Sequence, residues 1–406
     1  MIDMIGDAGA SVRATMMRVS LIGAILLASA CNFTGPQPGP FYALPESSIP
    51  ASPGTLIRFE EMGGAPVGAQ AWRVLYSSTG LDGRPVAVSG MVIIPPGPAP
   101  SRGWDVVAWA HPTTGVARQC APSLRPDAVK EIPGAAELLS RGYVVTATDY
   151  PGLGTAGAHP YLVGVSEGRA VLDLVRAARH IPAQNIGPRF AAWGHSQGGQ
   201  AALFAGELAA GYAPELALVG VGAAAPATNL SVLTDDDLNS ISGRVLLSFV
   251  IWSWVRVYGA DQATLIKPAG GPVVDSVAAG CLQSEGEFYR AAFTAAPLRK
   301  DFLTMHPDSL GQWRSLLRKN EPGAVATGAP FFIAQGAADS IVRPSLTRAF
   351  ATKLCAQGER VRYLPMAGVQ HIGAAVSAAP AMVAWLEDRF AGNPAPDDCG
   401  KGLRNN

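Results

Sequence analysis

The sequence predicts a doubly wound α/β fold: a mostly parallel sheet with helices on both faces and a helical cap inserted late in the chain. Three observations predict it. The hexapeptide Gly194-His195-Ser196-Gln197-Gly198-Gly199 stands between a strand-like apolar run and a helix-forming run. From residue 105 onward, apolar runs of strand length alternate with helical patterns. Between residues 228 and 329 that alternation stops, and at residue 330 it resumes.

The first thirty residues read as a targeting segment rather than as fold. Arg18 precedes an apolar stretch, residues 19–28, too short to span a bilayer. It ends in Ser29-Ala30-Cys31, similar to a lipoprotein signal in which Cys31 becomes the lipidated first residue. Residues 31–53, rich in Pro, Gly and Ser, suit a tether. The expected organisation is therefore a signal over 1–30, a tether over 31–53, an α/β core over 54–227 and 330–406, and a cap over 228–329.

Strands are expected at 55–61, 71–78 and 85–94, separated by Gly/Pro turns, with no helix between the last two; these should pair antiparallel. The apolar run 105–110 suits a buried parallel strand. A helix near 135–140, a strand at 142–148 and a helix at 166–179, opened by Ser166 and Glu167, come next. Then follow the Ser196 strand and helix, a strand at 216–222, one at 330–334, a helix near 345–355, a strand at 360–364 and a last helix near 375–390. Inside the cap, helices are expected at 246–258, 285–293 and 308–318, with Asp235, Asp236 and Asp237 suiting a helix N-terminus.

Composition narrows the function classes. The 406 residues are 48% hydrophobic and 15% charged, with a net charge of zero, which argues for a large buried core and against a nucleic-acid partner. Membrane contact is expected only through the N-terminal lipid anchor. Five cysteines fit an exported chain. With Cys31 lipidated, Cys120, Cys281, Cys355 and Cys399 remain for two disulfides, and three pairings are open.

The hexapeptide contains G-x-S-x-G. At a strand-to-helix turn that pattern exposes the serine hydroxyl at a helix N-terminus, where backbone N–H groups can hold an oxyanion. A serine needs a histidine to take its proton and a carboxylate to orient that histidine. Of the histidines after Ser196, His306 falls within the cap, whereas His371 falls between the last strand and the last helix. Asp339 follows the penultimate strand. Ser196, Asp339 and His371 are thus the expected catalytic residues, in the chain order this fold uses. The oxyanion N–H groups are expected from Gln197 and Thr113; Pro112, beside His111, has no N–H to give. The loop 149–154 should border the pocket. His111 and Tyr150, with Trp252 and Trp254 of the aromatic run 249–255, are the expected substrate-binding side chains. Such chemistry requires no cofactor and no metal.

The mature chain resembles the secretory lipase family over roughly residues 41–400. The likeness rests on PGTLIR at 53–58, VAWAH at 107–111, CAPS at 120–123, DYPGLG at 149–154, the helix at 166–178 and GHSQGG at 194–199. It implies an α/β-hydrolase fold with a helical cap, a triad on Ser196, Asp339 and His371, and the pairings Cys120–Cys281 and Cys355–Cys399. It also implies acyl ester or lipid substrates and a periplasmic, cell-surface or secreted location. Pro112 departs from the family's oxyanion loop. A peptidase or acyltransferase would use the same triad, and a silent binding protein could use the same scaffold. From the aromatic run, kcat/KM is expected to rise from acetyl to about octanoyl esters, at about 0.8 kcal/mol per methylene.

Overall fold

Three antiparallel strands open the fold: β1 (Leu56–Met62), β2 (Gln70–Thr79) and β3 (Pro85–Ile94). The computed structural model describes residues 36–403, so the signal segment and Cys31 lie outside the described residues. After β3 come β4 (Trp104–Ala110), α1 (Ala135–Ser140), β5 (Tyr143–Thr148), α2 (Gly164–Ala178), β6 (Ile186–His195), α3 (Gln197–Tyr212) and β7 (Ala217–Ala224). Six helices separate β7 from the next strand: α4 (Leu230–Leu238), α5 (Ile241–Tyr258), α6 (Gln262–Leu265), α7 (Gly270–Ala278), α8 (Glu285–Ala295) and α9 (Gly311–Lys319). The chain then completes β8 (Phe331–Gly336), α10 (Pro344–Ala356), β9 (Val361–Met366) and α11 (Ala374–Phe390).

The strands form one nine-stranded sheet in the order β1-β2-β3-β5-β4-β6-β7-β8-β9. From β5 to β9 every pairing is parallel. The central strands are largely apolar because helices cover both faces. Residues of α2, α3 and α10 share one core with the sheet; those of α1 and α11 share the other. Register puts Ala110, Gly194 and Ala223 side by side. The loops leaving β4, β6 and β7 therefore start at one level on the same edge, as open α/β sheets require of a site.

Each expected strand and core helix is present, with ends shifted by a few residues. The inserted segment holds more helices than its sequence pattern suggested. Four of its six helices start on side-chain caps: Asn229, Ser240, Asp261 and Ser284 each accept a backbone N–H of the following turn. This corrects the reading of Asp235, Asp236 and Asp237. They occupy the last turn of α4, since Asn229 already caps its start. α5 buries Val245, Leu247, Phe249, Ile251 and Trp254 in a third core, built largely from α4–α9 with Tyr161, Val163 and Val342. Among the described residues, no helix is long and apolar enough to cross a membrane.

Two disulfides are formed, Cys120–Cys281 and Cys355–Cys399. The first ties the loop after β4 to the segment between α7 and α8, where Leu282 N–H donates to the Thr114 carbonyl at 2.8 Å. Such bonds belong to an oxidising, extracytoplasmic environment.

Candidate active site

Ser196 sits between β6 and α3 at φ 57°, ψ −119°, a conformation L-residues rarely adopt. Two glycines make the turn possible. A Cβ on Gly194 would lie 2.0 Å from the Gly198 carbonyl oxygen, and one on Gly198 would lie 1.9 Å from that of Ala110. No side chain fits either place, so the G-x-S-x-G spacing is a steric requirement.

The Ser196 hydroxyl donates to His371 Nε2 at 2.9 Å, and His371 Nδ1–H donates to Asp339 Oδ2 at 2.8 Å. His371 stands on the loop between β9 and α11, and Asp339 on the loop between β8 and α10. Asp339 Oδ1 also accepts the N–H groups of Ile341 and Val342, both at 2.9 Å. Burial pushes this carboxyl up, but the hydrogen bond and charge of His371 and the two N–H groups outweigh it and hold it below its ordinary value. Asp339 thus stays ionised behind the imidazole and fixes Nδ1 as the protonated nitrogen. The structure brings together the three residues expected from the sequence.

His195 is engaged elsewhere: its Nε2–H donates to the His371 carbonyl at 3.0 Å. Burial, and next the proximity of His371, push its pKa down to about 3, so it is a neutral strut for the His371 loop. His306 lies in the inserted segment, 2.6 Å from Asp235.

Gln197 opens α3, so its backbone N–H faces the serine end of the helix with no preceding helical carbonyl. Its side chain, which sequence reasoning left without a role, is clamped from behind. Nε2 donates to Glu167 Oε1 at 2.7 Å and to His159 Nε2 at 3.1 Å. His159 is held by Nδ1–H donation to the Pro151 carbonyl at 2.9 Å, and burial pushes its pKa down to about 3. Glu167 also accepts Leu162 N–H at 3.0 Å, and burial pushes its carboxyl up to about 8. The sequence presents Glu167 only as a helix-opening acid; its partner lies thirty residues away.

Thr113 lines the cavity above Ser196, and its hydroxyl is hydrogen-bonded to that of Tyr161 at 2.9 Å. His111 lines the same cavity, pinned through Nδ1–H to the Pro112 carbonyl at 2.6 Å. Burial lowers the His111 pKa and keeps the ring neutral.

Two expected substrate contacts, Tyr150 and Trp252, are corrected, and the third, Trp254, falls on the smaller cavity at Ser196. Tyr150 is fully buried and lines neither cavity beside Ser196; its hydroxyl donates to the His111 carbonyl at 3.1 Å. It supports the loop after β4 from behind, and the rest of loop 149–154 is likewise off the cavity wall. Asp149 accepts from Ser89 and Ser123 in the interior, and burial pushes its carboxyl up. Trp252 lines neither cavity and packs under the Arg256 guanidinium, 4.3 Å from the ring centre. Trp254 stacks on Trp313, donates Nε1–H to the Tyr161 carbonyl at 3.0 Å, and reaches only the smaller cavity. An apolar helix turns some aromatics inward to its own core, and periodicity alone does not say which.

The larger cavity measures about 670 Å³ and has Ser196 and His371 on its wall. Leu246, Phe288, Tyr289, Ile372 and Val376 give it a mainly apolar lining. Tyr289, Ile372 and Val376 are among the most exposed large hydrophobic residues described, at 69%, 83% and 65%. The mouth is therefore rimmed by apolar groups, a setting suited to a greasy ligand.

A serine elbow followed in the chain by its acid and then its histidine, on a sheet wound this way, defines the α/β-hydrolases, and this chain is a serine hydrolase of that class. More narrowly, it belongs to the secretory lipase family, whose model matches residues 131–398. A probable inactive lipase of Mycobacterium tuberculosis (strain CDC 1551 / Oshkosh) is 27% identical over 390 residues, covering 89% of this chain and 84% of that protein. A secreted triacylglycerol lipase of Malassezia globosa is 26% identical over 389 residues, 88% of this chain and 80% of the relative. Among solved structures, Candida antarctica lipase A in its closed state superimposes with a TM-score of 0.74 at 19% identity, covering 90% and 88% of the two chains. The chain is a carboxylic ester hydrolase.

Proposed function

We propose that this exported hydrolase cleaves acyl esters through an acyl-enzyme on Ser196, with His371 as general base and acid and Asp339 as its orienter. The observation that carries the reading is the continuous chain of hydrogen bonds from Ser196 Oγ through His371 to Asp339, at 2.9 and 2.8 Å. Ser196 Oγ attacks the ester carbonyl carbon while its proton passes to His371 Nε2. The carbonyl oxygen becomes an oxyanion and accepts the backbone N–H groups of Gln197 and Thr113. On collapse the imidazolium protonates the alcohol oxygen, the C–O bond breaks and the alcohol leaves. Water then gives a proton to His371, attacks the acyl carbon and releases the acid, and Ser196 recovers its proton.

Residues 228–329 act as a cap over this centre, a reading supported by Leu246, Phe288 and Tyr289 on the cavity wall. Cys31 serves as a lipid attachment point for the exported chain, a reading that rests on its place after the apolar segment 19–28. The mycobacterial relative's name states probable inactivity; the complete triad here supports activity. A fluorophosphonate probe applied to the wild type and to Ser196→Ala tests the mechanism. Labelling and ester hydrolysis by the wild type, both absent in the variant, are expected. A wild type that neither labels nor hydrolyses any ester would overturn it.

A further inference from the structure

Two cavities meet at Ser196, and they do not share the histidine. His371, Ala375 and Val376 stand on the wall of the 670 Å³ cavity. The second cavity, about 40 Å³, reaches Ser196 and Gln197 from the side of α4 and α5 and does not touch His371. Leu233, Asp237, Leu247, Val250 and Trp254 close it.

Ester cleavage assigns a direction to each substituent of the attacked carbon. The leaving oxygen must take its proton from His371 Nε2, so the alcohol lies on the histidine side. The oxyanion lies at the start of α3. The acyl substituent takes the direction left over, away from His371, and the small chamber is the cavity at Ser196 that His371 does not line. A water needs roughly 10–15 Å³ of such volume, so a chamber of about 40 Å³ has room for only a few heavy atoms. The alcohol side has more than ten times the volume.

The chamber also contains a carboxyl without a partner. Asp235 is paired with His306 and Asp236 with Arg343, each at 2.6 Å. Asp237, next in line, makes no ion pair or side-chain hydrogen bond among the described residues and lines the chamber. Beside it, the Thr234 hydroxyl is already committed to the Leu230 carbonyl at 2.9 Å. Burial and the neighbouring Asp236 charge push the Asp237 carboxyl well up, and in either protonation state its oxygens can accept a hydroxyl hydrogen. A half-buried carboxyl left unpaired in a mainly apolar chamber costs free energy, which a hydrogen-bonding ligand group would offset.

Resting on the serine-hydrolase reading above, we infer that the enzyme takes esters of a bulky apolar alcohol with a short acyl group, and that Asp237 selects acyl groups bearing a hydroxyl. This reverses the rise with acyl length expected from the aromatic run, because Trp252 and Trp254 do not shape the large cavity.

The test uses p-nitrophenyl acetate, butyrate, octanoate and 3-hydroxybutyrate with the full-length enzyme. Octanoate should fall at least about tenfold below butyrate in kcat/KM, and 3-hydroxybutyrate should exceed butyrate by about tenfold. Val250→Ala should move the optimum to longer chains. Asp237→Leu should bring the 3-hydroxybutyrate to butyrate ratio down to about one, a ratio that partial loss of folded enzyme leaves untouched. An octanoate optimum in the wild type, or an optimum unmoved by Val250→Ala, overturns the acyl assignment. A ratio unchanged in Asp237→Leu overturns the role of Asp237. Absence of hydrolysis with all four esters and of fluorophosphonate labelling would instead strike the serine-hydrolase reading itself.

Discussion

The elbow and the helical insertion meet at Ser196, yet different forces hold them. At the elbow, backbone excludes side chains: two positions have no room for a Cβ, and Ser196 is kept at a positive φ. In the insertion, side chains fill one another's gaps: Trp254 stacks on Trp313, and Phe249 meets the Tyr161 ring edge-on. Exclusion by backbone tolerates no substitution. Packing by side chains tolerates many, each at a graded cost. The chemistry is thus concentrated in a few unforgiving positions, while chamber shape is spread over many adjustable ones.

The sharpest way to break this contrast is at the triad. Ser196→Ala, His371→Ala and Asp339→Asn should each lower kcat by at least about a thousandfold, with little change in melting temperature. Steady-state kinetics beside thermal unfolding would separate the two effects. Near-wild-type turnover in Asp339→Asn would mean another carboxylate orients His371.

Two tryptophans of α5, two residues apart, should answer very differently. Trp254 is fully buried and hydrogen-bonded through Nε1, so Trp254→Ala should destabilise by about 3–5 kcal/mol. Trp252 is only partly buried and lies beneath an Arg256 guanidinium, so Trp252→Ala should cost about 1 kcal/mol or less. Chemical denaturation measures both; equal costs would mean the insertion is not packed as described.

The disulfides allow a comparison of reach. Cys120–Cys281 closes 161 residues and Cys355–Cys399 closes 44. Replacing either pair by alanines should cost roughly 2–4 kcal/mol, slightly more for the longer loop. Only the first should also lower kcat, because Gly115 bridges to Cys281 and the Leu282 N–H holds Thr114, next to the proposed oxyanion donor. Equal kcat values in the two double variants would remove Thr113 from the oxyanion reading.

Legibility in the sequence followed the same division. The sheet, its antiparallel start and the trio Ser196, Asp339 and His371 could be read because local rules govern them. Glycines flank the nucleophile, and the histidine and acid follow particular strands. The wall of the large cavity could not be read in this way. Trp252 and Trp254 carry the same side chain on the same helix, and only tertiary packing decides which one is covered. Asp235, Asp236 and Asp237 look alike in sequence, yet each meets a different environment at the end of α4. Tyr150 looked like a pocket residue because its loop leaves a strand at the catalytic edge. Its positive φ and buried hydroxyl turn it inward instead. The clamping roles of Glu167 and His159 gave no local signal, since each acquires that role from Gln197, far along the chain.

The smallest expected effect concerns that buried clamp and appears as a pH dependence. Glu167 lies behind the elbow, fully buried, with its pKa pushed up to about 8 by burial. Unfolded, a glutamate titrates near 4.3. Between those values the folded protein binds a proton that the unfolded chain does not, so stability falls with rising pH. The contribution is complete below the unfolded value and is lost as pH rises through about 8. Glu167→Gln keeps an oxygen for Gln197 Nε2 and Leu162 N–H but cannot ionise. The variant should therefore gain on the wild type in melting temperature as pH is raised from 5 to 9, by a few degrees. Activity should follow the same order at alkaline pH, because an ionised Glu167 would place a negative charge behind the helix start where the oxyanion forms. Parallel melting curves for the two proteins across that range would mean that Glu167 is ionised in the fold. The clamp on Gln197 would then be a charged hydrogen bond rather than a neutral one.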